Sequence, residues 1–147
     1  MKNQKLANVL QIIIFFLVLL WAYTATSKLV DLNEFEQQLS KQNFSPTLSA
    51  ILLWGIPLGE LATAILLVFK RTRLIGFVCS SLLMILFTGY IGLVLIRFYK
   101  EVPCSCGGVL KYMGWKLHFW FNVFFLLLAV FGVWLEKRRL QVEKKMY

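Results

Sequence analysis

Four apolar stretches, at 10–27, 48–69, 74–98 and 115–135, dominate this chain of 147 residues. Each is long enough for a helix to cross the hydrocarbon core of a bilayer, which takes about 20 residues. A backbone in lipid must satisfy its own N–H and C=O groups, so each stretch is committed to helix. Composition agrees: 59% of the residues are hydrophobic, more than a soluble domain of this length carries. The expected fold is all-α, an integral membrane four-helix up-down bundle in a single transmembrane domain covering 1–147, with outer loops at 28–47 and 99–114. Lys2 and Lys5 before the first stretch imitate a signal peptide. Its apolar core is longer than such a segment needs and no small-residue cleavage site closes it, so the reading is a retained helix.

The pI near 9.7 does not mark a nucleic-acid protein, because the charges lie in short clusters between the apolar runs. One set of flanks holds ten cations: Lys2, Lys5, Lys70, Arg71, Arg73, Lys137, Arg138, Arg139, Lys144 and Lys145. Only Glu136 and Glu143 oppose them, leaving +8. The other set holds Lys28, Lys41, Arg97, Lys100, Lys111 and Lys116 against four acids, leaving +2. Lys and Arg in short loops set orientation, so the first set is read as cytoplasmic, and both termini with it. The charged tail is then a helix extension over anionic lipid.

The turn through Lys70, Arg71, Thr72 and Arg73 is too short for anything but an antiparallel hairpin. In the first outer loop Leu29, Leu32, Phe35, Phe44 and Leu48 interleave with charges, the pattern of an amphipathic helix at the interface. Pro46 marks a turn before the second span. Pro103, Gly107, Gly108 and Gly114 make the second outer loop a turn region. Trp21, Tyr23, Trp54, Tyr99, Tyr112, Trp115 and Trp134 fall near the expected span ends and read as headgroup anchors.

Chemistry concentrates in few residues. Cys104 and Cys106 are separated by one serine and followed by two glycines, in a loop assigned to the outer side, where disulfides persist. A bridge over one residue removes little loop entropy and is a poor staple. Its tight geometry makes it easier to reduce, which suits exchange. Two free thiols or an inert bridge is the plain alternative. A soft-metal site with Met113 is a further one, but no second cysteine pair or histidine cluster completes it. Cys79, inside the third span, reads as a small packed side chain.

His118 stands in the first turn of the fourth span, and Asn122 shares its face four residues on. It is either a partner that lowers a thiol pKa and relays its proton, or a polar residue bonded to a loop carbonyl. Glu60 lies deep in the second span, where a carboxylate costs at least about 2.5 kcal/mol. Pro57, three residues earlier, is a kink candidate. A bridge from Glu60 to Lys28 is one reading, with Arg97 as a second possible partner. A proton relay or cofactor-facing carboxylate is the other.

The run Ser27-Lys28-Leu29-Val30-Asp31, then Phe35 and Leu39, with Ile56-Pro57-Leu58-Gly59-Glu60-Leu61, resembles the DoxX-like group of four-helix membrane proteins. The Cys104-Ser105-Cys106-Gly107-Gly108 loop leading to Trp115, His118, Phe121 and Asn122 is similar to that group's branch named for the methylamine utilisation protein MauE. The resemblance spans nearly the whole chain. It implies a multi-pass protein of the bacterial inner membrane linked to periplasmic disulfide formation. It further implies thioredoxin-like or exported partners, and a possible quinone connection. Carried over by position, Cys104 and Cys106 are the redox pair, and Lys28 and Glu60 the characteristic charges of the bundle. A self-sufficient thiol oxidase usually has a second cysteine pair to pass electrons to a quinone, whereas here only Cys79 remains. The expected function is thiol–disulfide exchange by the CxC pair. The competing class is a non-catalytic subunit that assembles or stabilises a larger envelope complex.

Overall fold

The computed structural model describes residues 2–41, 44–96 and 114–145. Among these residues it is all-α, with α1 (Lys2–Val30), α2 (Leu32–Ser40), α3 (Pro46–Val68), α4 (Arg73–Leu95) and α5 (Trp115–Lys145). The four long helices are each apolar enough to cross a membrane, and α2 is a short helix between the first two. They close a ring in which α1 packs on α3, α3 on α4, α4 on α5 and α5 back on α1. Lys5, Leu6 and Val9 of α1 share a groove with Phe131, Trp134, Leu135 and Arg138 of α5. The beginning of α1 and the end of α5 therefore lie at the same end of the bundle.

The core follows from helical spacing. Leu10, Ile13, Leu17, Leu20 and Trp21 recur every three or four residues on α1 and are buried together. Ala64 and Leu67, Phe77 and Met84, and Phe125 and Ala129 bring the stripes of α3, α4 and α5 to the same centre. Ile12, Phe15, Leu19, Ile85, Leu86 and Leu127 point outward and are more than half exposed. An apolar exterior around an interior of this kind is stable in lipid and not in water. The α1 stripe turns polar as it continues through Thr24 and Lys28, and the α5 stripe begins polar with His118 and Asn122. The end opposite the termini thus has the more polar interior.

Small residues let two of the contacts close. A Cβ on Gly76 would stand 2.7 Å from the Leu67 backbone nitrogen, so α4 leaves its turn directly against α3. A Cβ on Gly132 would overlap the buried Phe77 ring. The α3–α4 turn also satisfies carbonyls that the end of α3 leaves open. Thr72 Oγ1 donates to Leu66 O (3.0 Å) and Arg73 Nε to Leu67 O (3.3 Å). Ser45 caps α3, its hydroxyl accepting from the Leu48 N–H, with Pro46 in the first turn where its missing N–H is harmless. Pro57 lies buried within an unbroken α3.

Three boundaries differ from those the apolar runs suggest. The first helix begins at Lys2 and reaches Val30, beyond the apolar 10–27, because nothing in its polar flanks breaks a helix. The third stops at Leu95 with Ile96 as its cap, and 97–98 lie outside the described residues. The last continues to Lys145 as one helix of 31 residues, about 46 Å long. The first difference corrects the role of Trp21. It is fully buried with its indole Nε1 2.8 Å from Ser80 Oγ, since α1 runs nine residues past it. Trp54 and Trp134 are about half exposed.

Candidate functional site

The charged pair in the bundle is built by three helices. Lys28, in the last turn of α1, donates from Nζ to Glu60 Oε1 at 2.8 Å and Oε2 at 3.1 Å. Its remaining proton faces the Thr24 carbonyl at 3.3 Å, one turn back on the same helix. An ammonium has three donors and no acceptor, so this set uses it completely. Both side chains are shielded, 5% exposed for Lys28 and none for Glu60. Removed from water, the pair is held by mutual charge and by hydrogen bonds that leave neither partner open.

The amphipathic segment expected in the first outer loop is α2. Asp31 caps it, its carboxylate accepting from the Glu34 N–H at 3.1 Å. Phe35 and Leu39 turn inward, and α2 packs on α3 and α1. Lys28 Nζ lies over the Phe35 ring, 5.9 Å from its centroid, so α2 adds an aromatic face to the surroundings of the ammonium.

A second set of buried polar groups is carried by α4 and α5. These helices are antiparallel, with Gly92 against the Phe119 ring and Gly132 against Phe77. That register places Thr88 at the same level along the bundle as His118 and Asn122, to within about a turn. His118 is 1% exposed and Asn122 4%. Neither ring nitrogen of His118 has a hydrogen-bond partner among the described residues, and Thr88 Oγ1 is in the same position. A buried polar group without a partner costs a few kcal/mol, about 1–3 on mutational scales, so the arrangement asks for one. A neutral imidazole needs a donor at one nitrogen and an acceptor at the other.

Cys104, Cys106, Arg97, Met113, Gly107 and Gly108 lie outside the described residues. Cys79 is a half-buried free thiol on α4. Among the described residues no cluster of three or more His, Cys, Asp or Glu could hold a metal ion.

Sequence reasoning missed two features. Ser80 accepts a buried hydrogen bond from Trp21 and Thr88 holds a buried hydroxyl, but small hydroxyls are common in membrane helices and carry no signal. Glu136, read from sequence as a tail acid, is fully buried. Arg139 clamps it with Nη2 to Oε1 at 2.6 Å and Nε to Oε2 at 3.1 Å, and reaches Glu143 Oε1 from Nη1 at 2.7 Å. Their spacing at i, i+3 and i+7 was the available clue.

Comparison with curated proteins and with solved structures gave no match. The family model described as methylamine utilisation protein MauE matches residues 6–135, a stretch that covers α2, α3 and α4, most of α1 and of α5, the ion pair, the cysteine pair and His118. The chain belongs to the MauE family of membrane proteins.

Proposed function

We propose that this MauE-family protein is a thiol–disulfide exchange protein of the bacterial inner membrane. Its termini are cytoplasmic, and the connection between α4 and α5 presents Cys104 and Cys106 to the periplasm. A thiolate of the reduced partner attacks the Cys104–Cys106 bond, giving a mixed disulfide and one free thiolate on this chain. The partner's second thiolate then resolves it, leaving the partner oxidised and both cysteines reduced. Net transfer is two electrons to this chain, and the reverse direction balances in the same way. Reoxidation requires an acceptor, for which a quinone or a second membrane protein is suitable by chemical class.

The observation that carries this reading is His118. It follows the cysteine-bearing connection by one turn of α5, with both ring nitrogens buried and open among the described residues. An imidazole so placed suits the proton transfers of exchange, lowering a thiol's pKa when charged or accepting its proton when neutral. The Lys28–Glu60 pair we assign to holding α1 on α3 beneath this region, with a cofactor-facing role as the second reading of the same carboxylate. The wider likeness to the DoxX-like group, on the residues around Lys28 and Glu60, fits both.

Alkylation of the intact protein before and after reductant, read by mass spectrometry, tests the proposal. Cys104 and Cys106 should resist alkylation until reduced, with Cys79 unaffected by reductant. Two thiols that alkylate freely and cannot be oxidised into a bridge favour the non-catalytic subunit instead.

A further inference from the structure

The end of the bundle that carries both termini holds a groove between α1 and α5, of about 510 Å³. Its walls change character along the helices. Leu6, Val9, Phe131 and Trp134 form an apolar floor, with Val9 41%, Phe131 45% and Trp134 45% exposed. Lys5 on one helix and Arg138 on the other stand beyond it, toward the chain ends.

Two of the arginines at this end of the bundle are already engaged. Arg139 is committed to Glu136 and Glu143, and Arg73 to the closing carbonyls of α3. Lys5 and Arg138 have no carboxylate within salt-bridge distance among the described residues. Arg138 is nonetheless positioned, its guanidinium carbon 3.9 Å over the Trp134 ring, which itself stacks on Phe131 at 5.6 Å and 22°. Stacking uses the face of a guanidinium and leaves its N–H edge free to donate. Two unspent cations above an apolar trough, on helices that continue into the bilayer, match a molecule with an anionic head and an apolar tail.

We propose that this groove is a binding site for an anionic phospholipid. Its phosphate lies between Lys5 and Arg138, and one acyl chain runs along Val9 and Phe131. The site depends neither on the cysteine pair nor on which side of the membrane the termini occupy.

Native mass spectrometry of the full chain in detergent, with equal amounts of phosphatidylglycerol and phosphatidylcholine, tests it. One phosphatidylglycerol should remain bound in preference to phosphatidylcholine. Lys5→Gln and Arg138→Gln should each weaken that preference about fivefold, while Lys144→Gln with Lys145→Gln leaves it unchanged. Circular dichroism of each variant confirms that the helices are intact. Lys5→Gln leaves the Arg138–Trp134 stack untouched and so separates charge from packing. Equal retention of the two lipids overturns the proposal. So does a loss in the tail variant as large as in the groove variants, because it would mean unlocalised attraction.

Discussion

Lys28 and Glu60 lie 32 positions apart in sequence and meet at 2.8 Å, closing α1 onto α3 with both charges out of contact with solvent. Removing one partner strands the other inside the bundle. Glu60→Ala should therefore destabilise the protein by about 3–5 kcal/mol, read as a fall in thermal unfolding temperature in detergent. The double variant Lys28→Met/Glu60→Leu should recover most of that loss, since apolar replacements of a buried pair are often neutral. A double variant as stable as wild type but without thiol exchange would move Glu60 into the chemistry.

Trp21 and Ser80 join α1 to α4 through a buried hydrogen bond of 2.8 Å. Ser80→Ala leaves the indole N–H without its acceptor and should cost about 1–3 kcal/mol. The same unfolding measurement checks it. Ser81, which bonds within its own helix to Phe77 O, serves as the control: Ser81→Ala should cost well under half as much.

Gly132 and Phe77 are matched in size. Gly132→Ala drives a methyl into the Phe77 ring and should destabilise by about 1–3 kcal/mol. Adding Phe77→Leu should return part of that loss, a coupling that a double-mutant cycle measures directly. Additive effects would mean that the helices separate to make room.

Arg139 and Arg138 are neighbours with different duties. Arg139→Ala exposes the fully buried Glu136 carboxylate to an unpaired state and should cost about 3 kcal/mol or more. Arg138→Ala removes only a stack on an exposed ring and should cost about 1 kcal/mol or less. Unfolding of the two variants in parallel gives the comparison.

His118→Ala should slow disulfide exchange at neutral pH by about a hundredfold if the imidazole acts as acid and base, with helix content unchanged. Stopped-flow reaction of the oxidised protein with a small dithiol reads this rate. An unchanged rate would make His118 a structural residue satisfied from the α4–α5 connection.

Charges inside lipid stand out in a sequence, which is why Lys28 and Glu60 were legible as a pair before their distance was known. The spans were legible for the related reason that lipid demands about 20 apolar residues. Their ends were not. Glu136, Lys137, Arg138 and Arg139 all favour helix, so α5 passes the edge of its apolar run without a break. Nor could the sequence distinguish the face of α1 that holds Trp21 from the face that holds Leu19. A helix apolar all round gives no sign of which side is interior. Trp21 therefore read as an anchor when it is core. His118 and Asn122 were visible as sharing a face, but the burial of both, and the level of Thr88 beside them along the bundle, came only from the packed structure.

The most direct test of exchange at Cys104 and Cys106 is to trap it. With Cys104→Ser or Cys106→Ser the chain has no disulfide of its own to be attacked, but its remaining thiolate can still attack the disulfide of an oxidised partner. The missing cysteine can no longer resolve that bond, so a mixed disulfide with the partner should accumulate in membranes. It should appear on a non-reducing gel as a heavier, reductant-sensitive species. The account predicts that at least one of the two variants forms it, and that activity falls in both. If neither traps a partner under oxidising conditions and activity survives the double substitution, the pair does not exchange disulfides and the chain is a membrane subunit of another kind.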